Sequence, residues 1–87
     1  MTREEFVTRG NAEHEEFRKF FEGKRWDDIE DIVNENDLSY GALSPWDNYG
    51  IVDINYKHIL ATIHKVGNEI CVNDICEIYD DNDELVC

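Results

Sequence analysis

Asp27, Asp31 and Glu35 stand at i, i+4 and i+8. On a helix that spacing raises a row of carboxylates along one side, about 6 Å apart. Asp28 flanks the row, and Glu30 and Asp37 extend the acidic surface around it. Like charges four residues apart cost a helix about 0.2–0.5 kcal/mol per pair, and no lysine or arginine is interleaved among these acids. The step is comparable to the separation of adjacent phosphates on a nucleic-acid strand. The chemistry such a row offers is therefore pairing with arginine and lysine side chains that otherwise hold phosphates. A second group, Asp80, Asp81, Asp83 and Glu84, follows Glu77. Two blocks of negative charge presented to one basic groove is the sharp reading of these residues. The plain reading is the solvated side of an amphipathic helix and a solvated turn.

Other chemistries fit less well. Cys71 and Cys76, combined with His58 or His64, give a C-x4-C pair and an H-x5-H pair, at and beyond the edge of zinc-ligand spacing. Cysteines on a strand are more often small buried hydrophobes. Asp80, Asn82 and Glu84 alternate like calcium ligands, but the glycine of the sharp turn and a glutamate at the twelfth position are both missing. His14, His58 and His64 read as surface or core polar residues. Acid–base catalysis by paired carboxylates needs a cleft and separated pKa values, and among so many acids pairs arise by chance. The expectation is no enzyme, no metal and no cofactor.

The charge balance narrows the partner. The 87 residues hold 21 Asp/Glu and 8 Lys/Arg, a formal charge of −13. Residues 1–25 carry six bases and six acids, whereas residues 26–87 carry two bases and fifteen acids, the whole of the excess. A direct DNA or RNA binder must neutralise phosphates and has the opposite footprint. Anionic membrane surfaces are disfavoured for the same reason, and no apolar run approaches the ~18–20 residues of a spanning helix. Three cysteines, an odd number, without a secretory leader point to reduced thiols in a cytoplasm. A hydrophobic content of 41% supports a core and argues against a disordered acidic tail.

The elements that position these acids follow from periodicity. Thr2 and Glu5 form a capping box that opens a helix. Gly10-Asn11 reads as a break or kink, after which Phe17, Phe20 and Phe21 continue a helical stripe with Glu13, closed by Gly23. Trp26, Ile29, Ile32 and Val33 predict a helix over about 26–34, with a stop at 34–37. Residues 38–50 form a connection in which Tyr40, Trp46 and Tyr49 pack on the core or anchor a partner. Residues 51–66 fit either two strands, 51–55 and 58–66, or a helix capped by Asp53; the β-branched content favours strands. Gly67-Asn68 marks a hairpin, and 75–79 with 85–86 reads as a second one around Asp80–Asp83. The expected architecture is α+β, a single domain of two to three N-terminal helices followed by a small antiparallel β-meander.

Size, acidity and α+β pattern together resemble two classes of protein: phage-encoded inhibitors of host defence nucleases, and immunity proteins that neutralise nuclease toxins. The first class implies a non-enzymatic nucleic-acid mimic with anti-restriction or anti-CRISPR activity, blocking the basic DNA/RNA site of a nuclease in the host cytoplasm. Its binding residues would be Asp27, Asp28, Glu30, Asp31, Glu35, Asp37, Trp46, Glu77, Asp80, Asp81, Asp83 and Glu84. A third possibility is a small adaptor docking through its aromatic connection.

Overall fold

The computed structural model describes residues 1–45 and 50–87. The chain opens with a helix, α1 (Arg3–Phe21). The capping box is formed: the Glu5 amide donates to the Thr2 hydroxyl, and the Thr2 amide donates to the Glu5 carboxylate. Acidic Glu4 and Glu5 lie in the first turn and basic Arg18 and Lys19 in the last, as the helix dipole favours. The expected break at Gly10-Asn11 does not occur. Gly10 is buried in mid-helix against the end of β4 (Glu69–Ile78), where a Cβ would lie 2.8 Å from Cδ1 of Ile78. The residue is small so that helix and sheet can close together, which local turn chemistry does not reveal. The helix ends at Glu22, and Gly23 follows at φ +77.

Residues 26–35 are not one helix. Trp26–Asp28 is a 3-10 turn, and α2 spans Ile29–Glu35. The tight turn is pinned from outside: the Trp26 amide donates to the Asn68 carbonyl at 2.9 Å, and Arg25 bridges Glu69. Ile29, Ile32 and Val33 point into the core as their spacing predicts. Asp37, at φ 54, ends the segment.

Strands account for residues 51–66. β2 (Ile51–Tyr56) and β3 (Ile59–Val66) pair antiparallel, placing Val52 opposite Ile63 and Ile54 opposite Ala61, all buried on one face. The β-branched residues at alternate positions form that face, which is why the strand reading holds over the helical one. The 38–50 connection contributes an unexpected edge strand, β1 (Ser39–Tyr40), paired with Asn55 and Ile54. The result is a four-stranded antiparallel meander in the order β1-β2-β3-β4. Gly67, at φ +64, makes the β3–β4 turn. The expected second hairpin contracts to a single bridge, Tyr79 with Leu85, because β4 runs unbroken to Ile78. Register shifts opposite residues 60–63 bulge β4, which twists this edge strand and discourages pairing with another chain.

Phe17 and Phe21 of α1, the three apolar residues of α2, and Val52, Ile54, Ile59, Ala61, Ile63 and Ile78 form one core between helices and sheet. Each fully buried large side chain contributes about 1.5–3 kcal/mol.

Candidate functional site

Asp27, Asp28, Glu30, Asp31, Glu35 and Asp37 are all exposed, and no ion pair involves them among the described residues. Their grouping differs from a uniform helical row. Asp27 lies in the 3-10 turn, with its backbone N–H on the Asn68 side chain at 3.3 Å, and so is out of α-helical phase with Asp31 and Glu35. Asp28 takes its place: Asp28, Asp31 and Glu35 line a shallow groove together with Lys24 and Arg25. Lys24 is also occupied by the Phe20 ring, 4.8 Å away. Glu30 does not line that groove and instead acts electrostatically on Tyr40 of β1. Burial pushes the Tyr40 phenol up, and the negative charge of Glu30 adds to the effect.

Three of the C-terminal acids, Asp80, Asp81 and Glu77, are used internally. Asp80 builds its own turn, with Oδ1 accepting from the amides of Asn82 (2.8 Å) and Glu84 (3.0 Å). Asp81 pairs with Arg9 of α1 at 2.6 Å. The hydrogen bond from Arg9 holds the Asp81 carboxyl below its ordinary range, with smaller help from the charges of Arg9 and His58. Glu77 accepts the Tyr79 hydroxyl, and that bond pushes the Tyr79 phenol up to about 12. Asp83, at φ 60, and Glu84 are exposed, and their carboxylates have no partner among the described residues.

The two acidic groups stand at opposite ends of β4. Asp27 is tied to Asn68, immediately before the strand, and Asp80 lies two residues beyond its end. Ten residues of strand span about 30 Å, on a molecule whose longest extent is 40 Å.

Of the aromatic anchors, Trp46 and Tyr49 lie outside the described residues. Tyr40 is half-buried opposite Ile54. Cys71, Cys76 and Cys87 carry free thiols. The Cys76 sulfur is 2.9 Å from the Thr62 hydroxyl, which donates to buried Asp53 at 2.8 Å. Among the described residues no three His, Cys, Asp or Glu side chains converge as a metal site, and no helix is long and apolar enough to cross a membrane. His14 is buried with Nε2 2.8 Å from the Asn73 carbonyl, a core polar role.

Residue typing missed one polar centre. Glu13, 6% exposed on the apolar side of α1, receives the His58 backbone N–H at 3.2 Å and lies 2.9 Å from its Nδ1 through both oxygens. The available signal was a carboxylate four residues before Phe17, on the stripe that faces the core. Its partner lies 45 residues away in sequence, beyond any local pattern. No protein-family model, curated protein or solved structure matches this chain.

Proposed function

We propose that the protein is a non-enzymatic inhibitor that occupies the positively charged nucleic-acid site of another protein. A phage or mobile-element protein directed against a restriction or CRISPR nuclease is its concrete form. One observation carries this reading: six exposed carboxylates between residues 27 and 37 have no ion-pair partner among the described residues, in a chain of net charge −13. Such a surface attracts a basic channel at long range and raises the rate of encounter. On contact, carboxylates replace phosphates as partners of arginine and lysine. Asp28, Asp31 and Glu35 are the leading contact residues, because they share one groove. Asp83 and Glu84 supply the outward charge at the far end of β4.

The test is capture from the source cell at low salt, with DNA and RNA as competitors, followed by affinity measurement on the purified partner. Displacement by nucleic acid and a steep loss of affinity between about 50 and 500 mM salt support the reading. An affinity indifferent to salt, or a partner that binds nucleic acid and this protein simultaneously, refutes it.

A further inference from the structure

Away from the acidic helix, one imidazole sits between two carboxylates. His58, in the turn between β2 and β3, places Nδ1 2.9 Å from both oxygens of Glu13. Its Nε2 lies 4.0 Å from Oδ1 of Asp81. Arg9 reaches the same Asp81 oxygen at 2.6 Å and donates from Nη2 to the Tyr79 carbonyl at 3.3 Å. The Tyr79 amide in turn donates to the His58 carbonyl at 2.8 Å. The charged groups around the ring are therefore Glu13 and Arg9 from α1, Asp81 from the C-terminal turn, and Lys57 beside it. Lys57 is itself held by Glu16 of α1 at 2.6 Å. Helix, hairpin turn and C-terminal segment meet at this one side chain.

We propose that His58 is the proton-sensing link of a clasp fastening residues 79–87 to the rest of the fold. A neutral imidazole has a single N–H. Glu13, with its side chain 7% exposed, takes that N–H and has no other side-chain donor among the described residues. Nε2 then turns a lone pair toward the Asp81 carboxylate, acceptor against acceptor. Protonation supplies the second N–H and sets a cation between the two carboxylates. The clasp is tight with His58 charged and slack with it neutral. Arg9 keeps its hold on Asp81 in both states, and the change is a loosening of the segment, not its release. The charge of His58 is among the smaller influences that lower the Asp81 carboxyl. The device belongs to the free protein and is independent of the inhibitor reading.

Amide hydrogen exchange of the full chain tests the clasp, expressed as protection relative to unstructured rates between about pH 5 and 8. The Val86 and Asp80 amides donate to the Ile78 and Glu84 carbonyls. They lose protection about fivefold as the His58 ring, followed by its own resonances, loses its proton, while Ile63 inside β3 does not respond. That factor is the size expected for unit charges about 4 Å apart in water-like surroundings. His58→Gln keeps a donor for Glu13 but cannot titrate, and flattens the profile. Asp81→Asn removes the anion facing Nε2 and shrinks the dependence by more than half; it decides alone should His58→Gln fail to fold. Protection at Val86 that ignores the His58 titration, or a pH dependence that persists in these variants, overturns the clasp.

Discussion

Asp28 at the N-cap of α2 with Asp31 and Glu35 along it, and Asp80, Asp81 and Glu77 around the end of β4, are the same two side-chain types at similar density. Their surroundings differ. On the helical side the carboxylates face solvent, and the basic residues Lys24 and Arg25 line the same groove. At the end of β4, Asp80 accepts two amides of its own turn, Asp81 pairs with Arg9, and Glu77 holds the Tyr79 hydroxyl. A carboxylate already bonded within the fold can engage a partner only by giving up that bond, whereas one facing water exchanges water for an arginine. Availability for binding depends on internal pairing, and the same net charge can be spent inside a fold or offered outside it.

The largest test of this contrast is in binding. Neutralising the helical groove with Asp28→Asn, Asp31→Asn and Glu35→Gln together is expected to weaken partner affinity on the order of 100-fold at 0.1 M salt, from ~1 kcal/mol per carboxylate. Thermal stability should stay level or rise slightly as like-charge repulsion is relieved. The pair Asp83→Asn and Glu84→Gln should cost less, about tenfold. Titration calorimetry on the captured partner checks both, and a larger loss from the C-terminal pair would invert the comparison.

The next effect is on stability. In an ordinary exposed helix, Gly→Ala gains about 1 kcal/mol. At Gly10 the added Cβ meets Ile78 at 2.8 Å, so Gly10→Ala is expected to destabilise by about 1–2 kcal/mol through overpacking, measured by urea unfolding. It should loosen the C-terminal segment that hangs from Ile78 while leaving the α2 groove unchanged by NMR. A stabilised variant would mean that the close approach carries no constraint.

Single alanines sharpen the same contrast. Asp80→Ala removes an acceptor from two backbone amides and is expected to cost about 1–2 kcal/mol. Asp31→Ala should change stability by no more than about 0.5 kcal/mol. Equal effects in chemical denaturation would erase the distinction between inward and outward carboxylates.

The smallest effect is in pH dependence. Arg9 holds the Asp81 carboxyl below its ordinary 3.8. Its contribution to stability is therefore complete above that value and disappears as pH falls through the lower folded one. The stability gap between the native chain and Asp81→Asn should shrink on acidification from about pH 6 to 3. A gap independent of pH would remove the Arg9 pair from the account.

Much of the scaffold was legible in local pattern. The Thr2/Glu5 box, the Phe17–Phe21 stripe, the alternating β-branched residues of 51–66 and the Gly67 turn each express interactions within a few residues. The errors share a different origin. Gly10 reads as a helix breaker until Ile78 arrives beside it. Residues 26–28 read as α-helix until Asn68 accepts the Trp26 amide and tightens the turn. Asp81 reads as a free surface acid until Arg9, 72 residues earlier, closes on it.

The composition and order of residues determined the class of fold, the sign of the charge and its confinement after residue 25, because propensity, capping and periodicity act over one or two turns of chain. Only the tertiary structure decided which carboxylates stand unpaired, that Asp28 and not Asp27 joins Asp31 and Glu35, and that the two acidic groups lie at opposite ends of β4. Those outcomes rest on contacts between residues tens of positions apart, whose energies exist only once the core has brought helix and sheet together.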